Sequence, residues 1–287
     1  MKFTTSQQIA LDQFKTFLES KEQVFILQGA AGTGKTTILK EMIGLLNNRR
    51  LGSDLAILMA PTGRAAYILK SKTGHDAYTI HRQIYDLTSL SLSRLHPDEE
   101  YTEVKLHFST KLAPHNDEWV LFVDEASLIS NTFADNEAFG FGSGYLLNDL
   151  MEYSRNTKIV FIGDPAQLPP IGMTSSPALD KNYLKEHYGV ECVCVELNEI
   201  KRQDVESGIL SNAEHIRQSI KEGTFAKFQI QETHDVRLSQ NVVEDFASIQ
   251  GQLSDRVIIT FRNVDARNYN LAIRKRLIGE NVARIVE

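Results

Sequence analysis

The sequence predicts an α/β protein built on a doubly wound, mostly parallel sheet, and three observations predict it. Short apolar, β-branched runs recur with helical segments between them: Val24 to Leu27, Leu55 to Met59, Val120 to Val123, Ile159 to Ile162, Cys192 to Val195 and Val257 to Phe261. These runs are apolar on consecutive residues, which suits strands covered on both faces. Between the first two, Thr36 to Leu46 carries Leu39, Met42, Ile43 and Leu46 at the spacing of one buried helix face. With 287 residues, 42% of them hydrophobic, the chain can bury the core of one large domain or two modest ones.

Composition narrows the function. No stretch approaches the roughly 18 to 20 apolar residues of a membrane span, and the polar start from Met1 to Gln8 lacks the apolar core of a signal peptide, so a cytoplasmic protein with no membrane partner is expected. A net charge of −6 argues against coating nucleic acid by bulk electrostatics, and any such contact must be local.

The first strand runs into Gly29-Ala30-Ala31-Gly32-Thr33-Gly34-Lys35-Thr36, which matches the phosphate-binding loop G-x-x-x-x-G-K-[ST] and sits, as that loop must, between a strand and a helix. Its backbone N–H groups can wrap phosphate oxygens, Lys35 can reach the outer phosphates and the Thr36 hydroxyl can ligate Mg²⁺. ATP and Mg²⁺ are therefore the expected cofactors, with Gly29 through Thr37 as the ATP-binding segment.

After the second strand, Asp86 to Glu118 is polar and rich in Ser, His and charge, and predicts a small inserted subdomain with a strand pair around Thr102 to Phe108. The third strand, Val120-Leu121-Phe122-Val123, ends in Asp124-Glu125. Two carboxylates at the C-terminal edge of a parallel sheet are placed to hold Mg²⁺ through Asp124 and to deprotonate an attacking water through Glu125. Phe133 to Tyr145, with Gly140, Gly142 and Gly144 among aromatics, reads as a flexible surface loop, since no strand precedes it as a dinucleotide fingerprint would need. Cys192 and Cys194 would point to one face of a strand as small buried residues; a zinc site wants about four ligands, and no second Cys/His pair supplies them. Past about residue 200 the character changes to polar helices, Val205 to Glu222 and Val242 to Gln252, then one strand candidate and a basic helix, Asp265 to Leu277. A second domain is expected to begin there and to remain incomplete, because one or two strands make no independent sheet.

Further segments carry a resemblance. Ala60-Pro61-Thr62-Gly63-Arg64-Ala65-Ala66, Thr79-Ile80-His81-Arg82, Asp124-Glu125-Ala126-Ser127 and Gly163-Asp164-Pro165-Ala166-Gln167-Leu168-Pro169-Pro170 resemble, in order and spacing, the motifs of superfamily 1B helicases of the RecD and Dda type. Gln7 with Ala10 looks like the family's Q motif, and Leu197 to Gln203 like its arginine motif. The resemblance implies a RecA-like P-loop motor domain over residues 1–200, with 86–118 as its inserted 1B subdomain, and the beginning of a second, incomplete RecA-like domain over 201–287. It implies that Gln7 reads the adenine edge, Gln167 senses the γ-phosphate and Arg202 stabilises charge on the transferred phosphoryl. Thr62, Gly63, Arg64, Thr79 and His81 match positions along a single-stranded DNA channel, while Arg262 stands where the family often has threonine.

The implied activity is that of an ATP-dependent DNA helicase or translocase, 5′ to 3′, in repair, recombination or replication, with single-stranded DNA and a repair or recombination nuclease as candidate partners. A P-loop kinase or a non-unwinding module of a nuclease are the alternatives. The absence of a clear lid and the Gln167-Leu168-Pro169-Pro170 element argue against the kinase, and intact Lys35, Asp124 and Glu125 argue against a catalytically silent module. The family's later motifs, including a second arginine for the nucleotide site, do not occur before Glu287. The polypeptide is thus expected to be truncated, with a degenerate protein that has lost motor function as the alternative, and to bind Mg·ATP but hydrolyse it slowly and fail to unwind duplexes.

Overall fold

The computed structural model describes residues 3–49, 55–94, 102–112, 114, 119–134, 136, 138–199, 207–224 and 228–279. The chain divides into two compact units, Met1–Gln203 and Asp204–Glu287.

In the first unit, helix α1 (Thr5–Glu19) opens on a capping box. The Thr4 hydroxyl accepts from the Gln7 N–H, and the Gln7 side chain accepts from the Thr4 N–H, satisfying two donors that a helix start otherwise leaves open. Ala10, Leu11, Phe14 and Phe17 form its buried stripe, and Phe14 meets Phe25 edge-on with centroids 5.8 Å apart. Strands β1 (Val24–Gly29), β2 (Ala56–Ala60), β3 (Ala77–Thr79), β6 (Val120–Val123), β8 (Lys158–Gly163) and β9 (Cys192–Leu197) form one sheet in the order β3-β2-β6-β8-β1-β9. Every neighbouring pair is parallel.

Period-two alternation divides this sheet between two cores. Phe25, Leu27, Phe122, Val160 and Ile162 pack on one face with α1 and α2 (Lys35–Arg49), and Val24, Ile26, Leu121, Val123, Ile159 and Phe161 pack on the other. The second core is closed by α4 (Ile80–Ile84), α5 (Leu146–Tyr153) and α6 (Lys181–Tyr188), and α3 (Gly63–Thr73) connects β2 to β3. Two covered faces are the physical reason that the strands read as unbroken apolar runs.

A second sheet of three strands joins β4 (Tyr85–Arg94) to β5 (Thr102–Thr110) as an antiparallel pair with a bulge between Leu87 and Ser89, and adds β7 (Phe139–Phe141) parallel to β5. Residues 139–141 are therefore strand, not part of a flexible loop. Glycines obscure a strand in sequence, but here Gly142 adopts φ +43°, and a Cβ on it would collide with the Asp149 carboxylate. The cysteine expectation also needs correction: Cys192 is half-buried and Cys194 exposed, because β9 is the edge strand of the main sheet.

The described part of the second unit is helical: α7 (Gly208–Lys221), α8 (Val242–Ser248) and α9 (Asn263–Ile278). Asp235 caps α7, accepting from the Ser207 hydroxyl and the Gly208 N–H at 2.9 Å each; the Thr233 hydroxyl, donating at 2.7 Å, and then these bonds hold its carboxyl well below the usual range. The run Val257 to Phe261, expected as a strand, forms none. Val257, Ile259 and Phe261 are 78, 89 and 101% exposed, and among the described residues of this unit there is no strand to pair with. No helix among the described residues is long and apolar enough to cross a membrane.

Candidate nucleotide site and the sheet edge beside it

At the C-terminal ends of the parallel strands lies a cavity of about 860 Å³. The loop from β1 to α2 brings Ala31, Gly32, Gly34, Lys35, Thr36 and Thr37 to it, the end of β6 brings Asp124 and Glu125, and the loop after β8 brings Gln167. Strand β8 lies between β1 and β6, so Gln167 emerges between the phosphate-loop strand and the acidic strand.

The loop is shaped from within. Thr33 is buried and its hydroxyl donates to the Ala30 carbonyl at 2.9 Å, so Gly29, Ala30 and Thr33 form the frame of the loop rather than the cavity wall. Gly34 has φ +87°, and a Cβ there would lie 2.6 Å from the Gln7 amide nitrogen. Lys35 Nζ donates to the carbonyls of Gly29 at 2.7 Å and Ala30 at 3.1 Å, which draws the ammonium against its own loop. Gln7 is 1% exposed, with its Oε1 accepting from Thr4 and its Nε2 donating to the Thr33 carbonyl at 2.9 Å. The side chain expected to read adenine thus braces the loop, with one N–H and one lone pair left over.

Asp124 is anchored by its N–H to the Met59 carbonyl at 3.0 Å. Burial, and then the adjacent Glu125 charge, push its carboxyl up to about 6. Glu125 follows with φ 53° and ψ 38°, the only positive-φ residue other than glycine among those described. A left-handed conformation costs a non-glycine residue about 1 kcal/mol, and such strain concentrates where a side chain must be aimed. Asp164, buried, accepts from the Ala166 N–H at 2.9 Å while its carbonyl accepts from the Gln167 N–H at 3.0 Å, which sets the turn that presents Gln167.

The residues expected on a DNA channel divide between two places. Thr62 and Arg64 line the same cavity as the phosphate loop, whereas His81 lines a second. Thr62, two residues past the end of β2, and Thr79, the last residue of the adjacent β3, cap α3 and α4, their hydroxyl oxygens accepting from Ala65 and Arg82 at 3.2 Å each. Each hydroxyl keeps its own hydrogen to donate outward. Gly63 is the first residue of α3. His81 is half-buried, meets Phe141 edge-on at 4.9 Å, and is held below its ordinary pKa by burial. Arg202 lies outside the described residues.

Sequence reading missed Lys40 and Lys72, which also line the cavity. The signal for Lys72 was periodic: Ala65, Ile68, Leu69 and Lys72 follow helical spacing along α3 and all face the cavity. With Lys35 and Arg64 they make the lining cationic opposite two carboxylates. Such a lining fits a nucleotide with a divalent cation: Lys35, Lys40, Arg64 and Lys72 suit phosphates, and the crowded Asp124–Glu125 pair would be relieved by a cation.

A family model described as an AAA domain matches residues 3–237. The chain is 29% identical over 150 residues to the ATP-dependent RecD2 DNA helicase of Deinococcus radiodurans, covering 52% of this chain and 16% of that protein. It is 27% identical over 284 residues to the ATP-dependent DNA helicase dda of Enterobacteria phage T4, covering 96% and 57%. Among solved structures, a Pif1 helicase aligns over 94% of this chain and 57% of its own, with 18% identity and a TM-score of 0.48. The chain thus spans between about a sixth and just over half the length of these relatives.

Proposed function

The chain belongs to the AAA domain family, and from that membership we propose that it is the nucleotide-hydrolysing core of an ATP-dependent DNA helicase or translocase. The observation that carries the reading is a shared wall. Thr62 and Arg64, assigned to the nucleic-acid strand, line the same cavity as Lys35, Thr36, Asp124, Glu125 and Gln167, so occupancy of one end can be felt at the other. Helix α3 carries this coupling, with Arg64 at its start and Lys72 near its end both on that cavity.

In this reading the ATP lies on Gly29 through Thr37, with Thr36 and Asp124 holding Mg²⁺, which supplies charge neutralisation at the phosphates when bound. Lys35 exchanges its loop carbonyls for phosphate oxygens. Glu125, aimed by its left-handed backbone, takes the proton of the attacking water, and Gln167 orients that water. Arg202 is assigned the finger that stabilises the transferred phosphoryl, and Gln7 holds the loop through Thr33 while offering its remaining N–H toward the base. Thr62, Gly63, Arg64, Thr79 and His81 contact single-stranded DNA through phosphates and ring faces without reading sequence. Residues 1–200 act as the first motor domain, 86–118 as its inserted subdomain and 201–287 as part of a second motor domain. Movement is 5′ to 3′.

Two binding titrations test the reading. A fluorescent ATP analogue should bind in a Mg²⁺-dependent way and be displaced by ATP, and a labelled oligodeoxynucleotide should change its affinity when the analogue is added. Arg64→Ala should weaken the oligonucleotide far more than it weakens the analogue. An oligonucleotide affinity indifferent both to nucleotide and to Arg64 would remove the motor reading.

A further inference from the structure

A second cavity, of about 510 Å³, opens at the root of the three-stranded sheet. Its wall is aromatic. Phe108 and Phe141 stack with centroids 4.7 Å apart and planes at 22°, and Phe139, two residues along the same strand, lies at 23° to Phe141 and is 42% exposed. The edge-on His81 ring closes one side. Arg82 and Lys111 line the rim, where Lys111 faces Asp86 at 3.5 Å and donates to the Arg82 carbonyl at 2.9 Å, while the Arg82 guanidinium rests over the adjacent Tyr78 ring at 4.4 Å. Among the residues that line the cavity, two cations stand against one carboxylate.

The wall is held rigid. Tyr85 donates its hydroxyl to Asp149 at 2.6 Å, and the same carboxylate accepts from the Ser143 N–H, so one buried group ties the hairpin root and the end of β7 to α5. The glycine-rich segment thereby presents fixed ring faces, and a preformed platform loses little freedom on binding.

An aromatic wall alone would suit any flat or apolar group; the cationic rim selects one that carries an anion beside a flat ring. We propose that this cavity receives one unpaired base of a single-stranded nucleic acid, stacked on the Phe139 and Phe141 side, with a flanking phosphate at Arg82 and Lys111. The proposal rests on the single-strand reading above and adds a subsite to which the residues of 139–141 contribute.

The test is an oligodeoxythymidylate carrying one 2-aminopurine, walked along the strand position by position. The wild-type chain should quench its fluorescence at one position. Phe139→Leu, which keeps the apolar volume of an exposed position and removes the ring, should lose that quench and weaken binding about tenfold. Arg82→Gln should weaken binding at low salt and shallow its salt dependence by about one phosphate contact. Turnover of ATP without oligonucleotide should be unchanged in both variants. Binding without a position-specific quench, or a quench indifferent to Phe139→Leu, overturns the subsite and leaves the motor reading standing. A wild-type chain that binds no oligonucleotide overturns both.

Discussion

Gln7 Nε2 donates to the carbonyl of Thr33 at 2.9 Å, so a single buried side chain ties the first helix to the phosphate loop. The same amide group closes the capping box with Thr4.

Gln7→Ala is therefore expected to act on fold and ligand together. Two backbone groups lose their partner, a destabilisation on the order of 1–3 kcal/mol, and the nucleotide dissociation constant should rise because Gly34 and Thr33 lose their brace. Thermal melting and a fluorescent nucleotide titration check this. An unchanged melting temperature with a large affinity loss would instead mark Gln7 as a ligand-contacting group only.

Glu125 separates backbone strain from chemistry. Glu125→Gly should remove turnover yet stabilise the nucleotide-free fold by about 1 kcal/mol, since glycine adopts φ 53° without penalty. Glu125→Gln relieves the same repulsion on Asp124 but keeps the backbone strain, so it should remove turnover and be about 1 kcal/mol less stable than Glu125→Gly. Melting curves of the two variants side by side decide it.

Burial, and then the Glu125 charge, push the Asp124 carboxyl up to about 6, above its unfolded value, so its ionised form opposes folding. The sign follows from linkage: between about pH 4 and 6 the folded state holds the extra proton, and stability contributed by this group falls as pH rises through that window. Asp124→Asn should accordingly melt higher than wild type at pH 8, by an amount on the order of 1–3 kcal/mol, and show no advantage below about pH 4. Mg²⁺-dependent nucleotide binding should be lost in the same variant.

Burial, and then the neighbouring Cys194 and Glu191, push the Cys192 thiol up to about 11. Alkylation of Cys192 by iodoacetamide, followed by peptide mass spectrometry, should be slow at pH 8 and accelerate roughly tenfold per pH unit up to 10. A rate already at its plateau at pH 8 would contradict this placement.

These features were unequally legible. Strands β1, β2, β6 and β8 announce themselves because both faces of the sheet are covered there, edge strand β9 by its apolar Val193, Val195 and Leu197, and the phosphate loop is contiguous, so its residues and their order can be read directly. Strand β3 was missed because Ala77-Tyr78-Thr79 is three half-buried residues at a sheet edge, too short for a periodic signal. Strand β7 was hidden by Gly140 at its centre and by Gly142 just past its end, whose positive-φ backbone packs against Asp149 in a later helix. Val257 to Phe261 has the apolar composition of a strand, but pairing is a tertiary event that composition does not report. Lys72 entered the site only once α3 was placed beside the phosphate loop.

The most direct test of the central claim is the rate of ATP turnover with and without single-stranded DNA, run beside Lys35→Ala. Hydrolysis should be slow and Mg²⁺-dependent, accelerated by single-stranded DNA and abolished in Lys35→Ala. Turnover that survives in Lys35→Ala, or that DNA leaves unchanged, would contradict the claim.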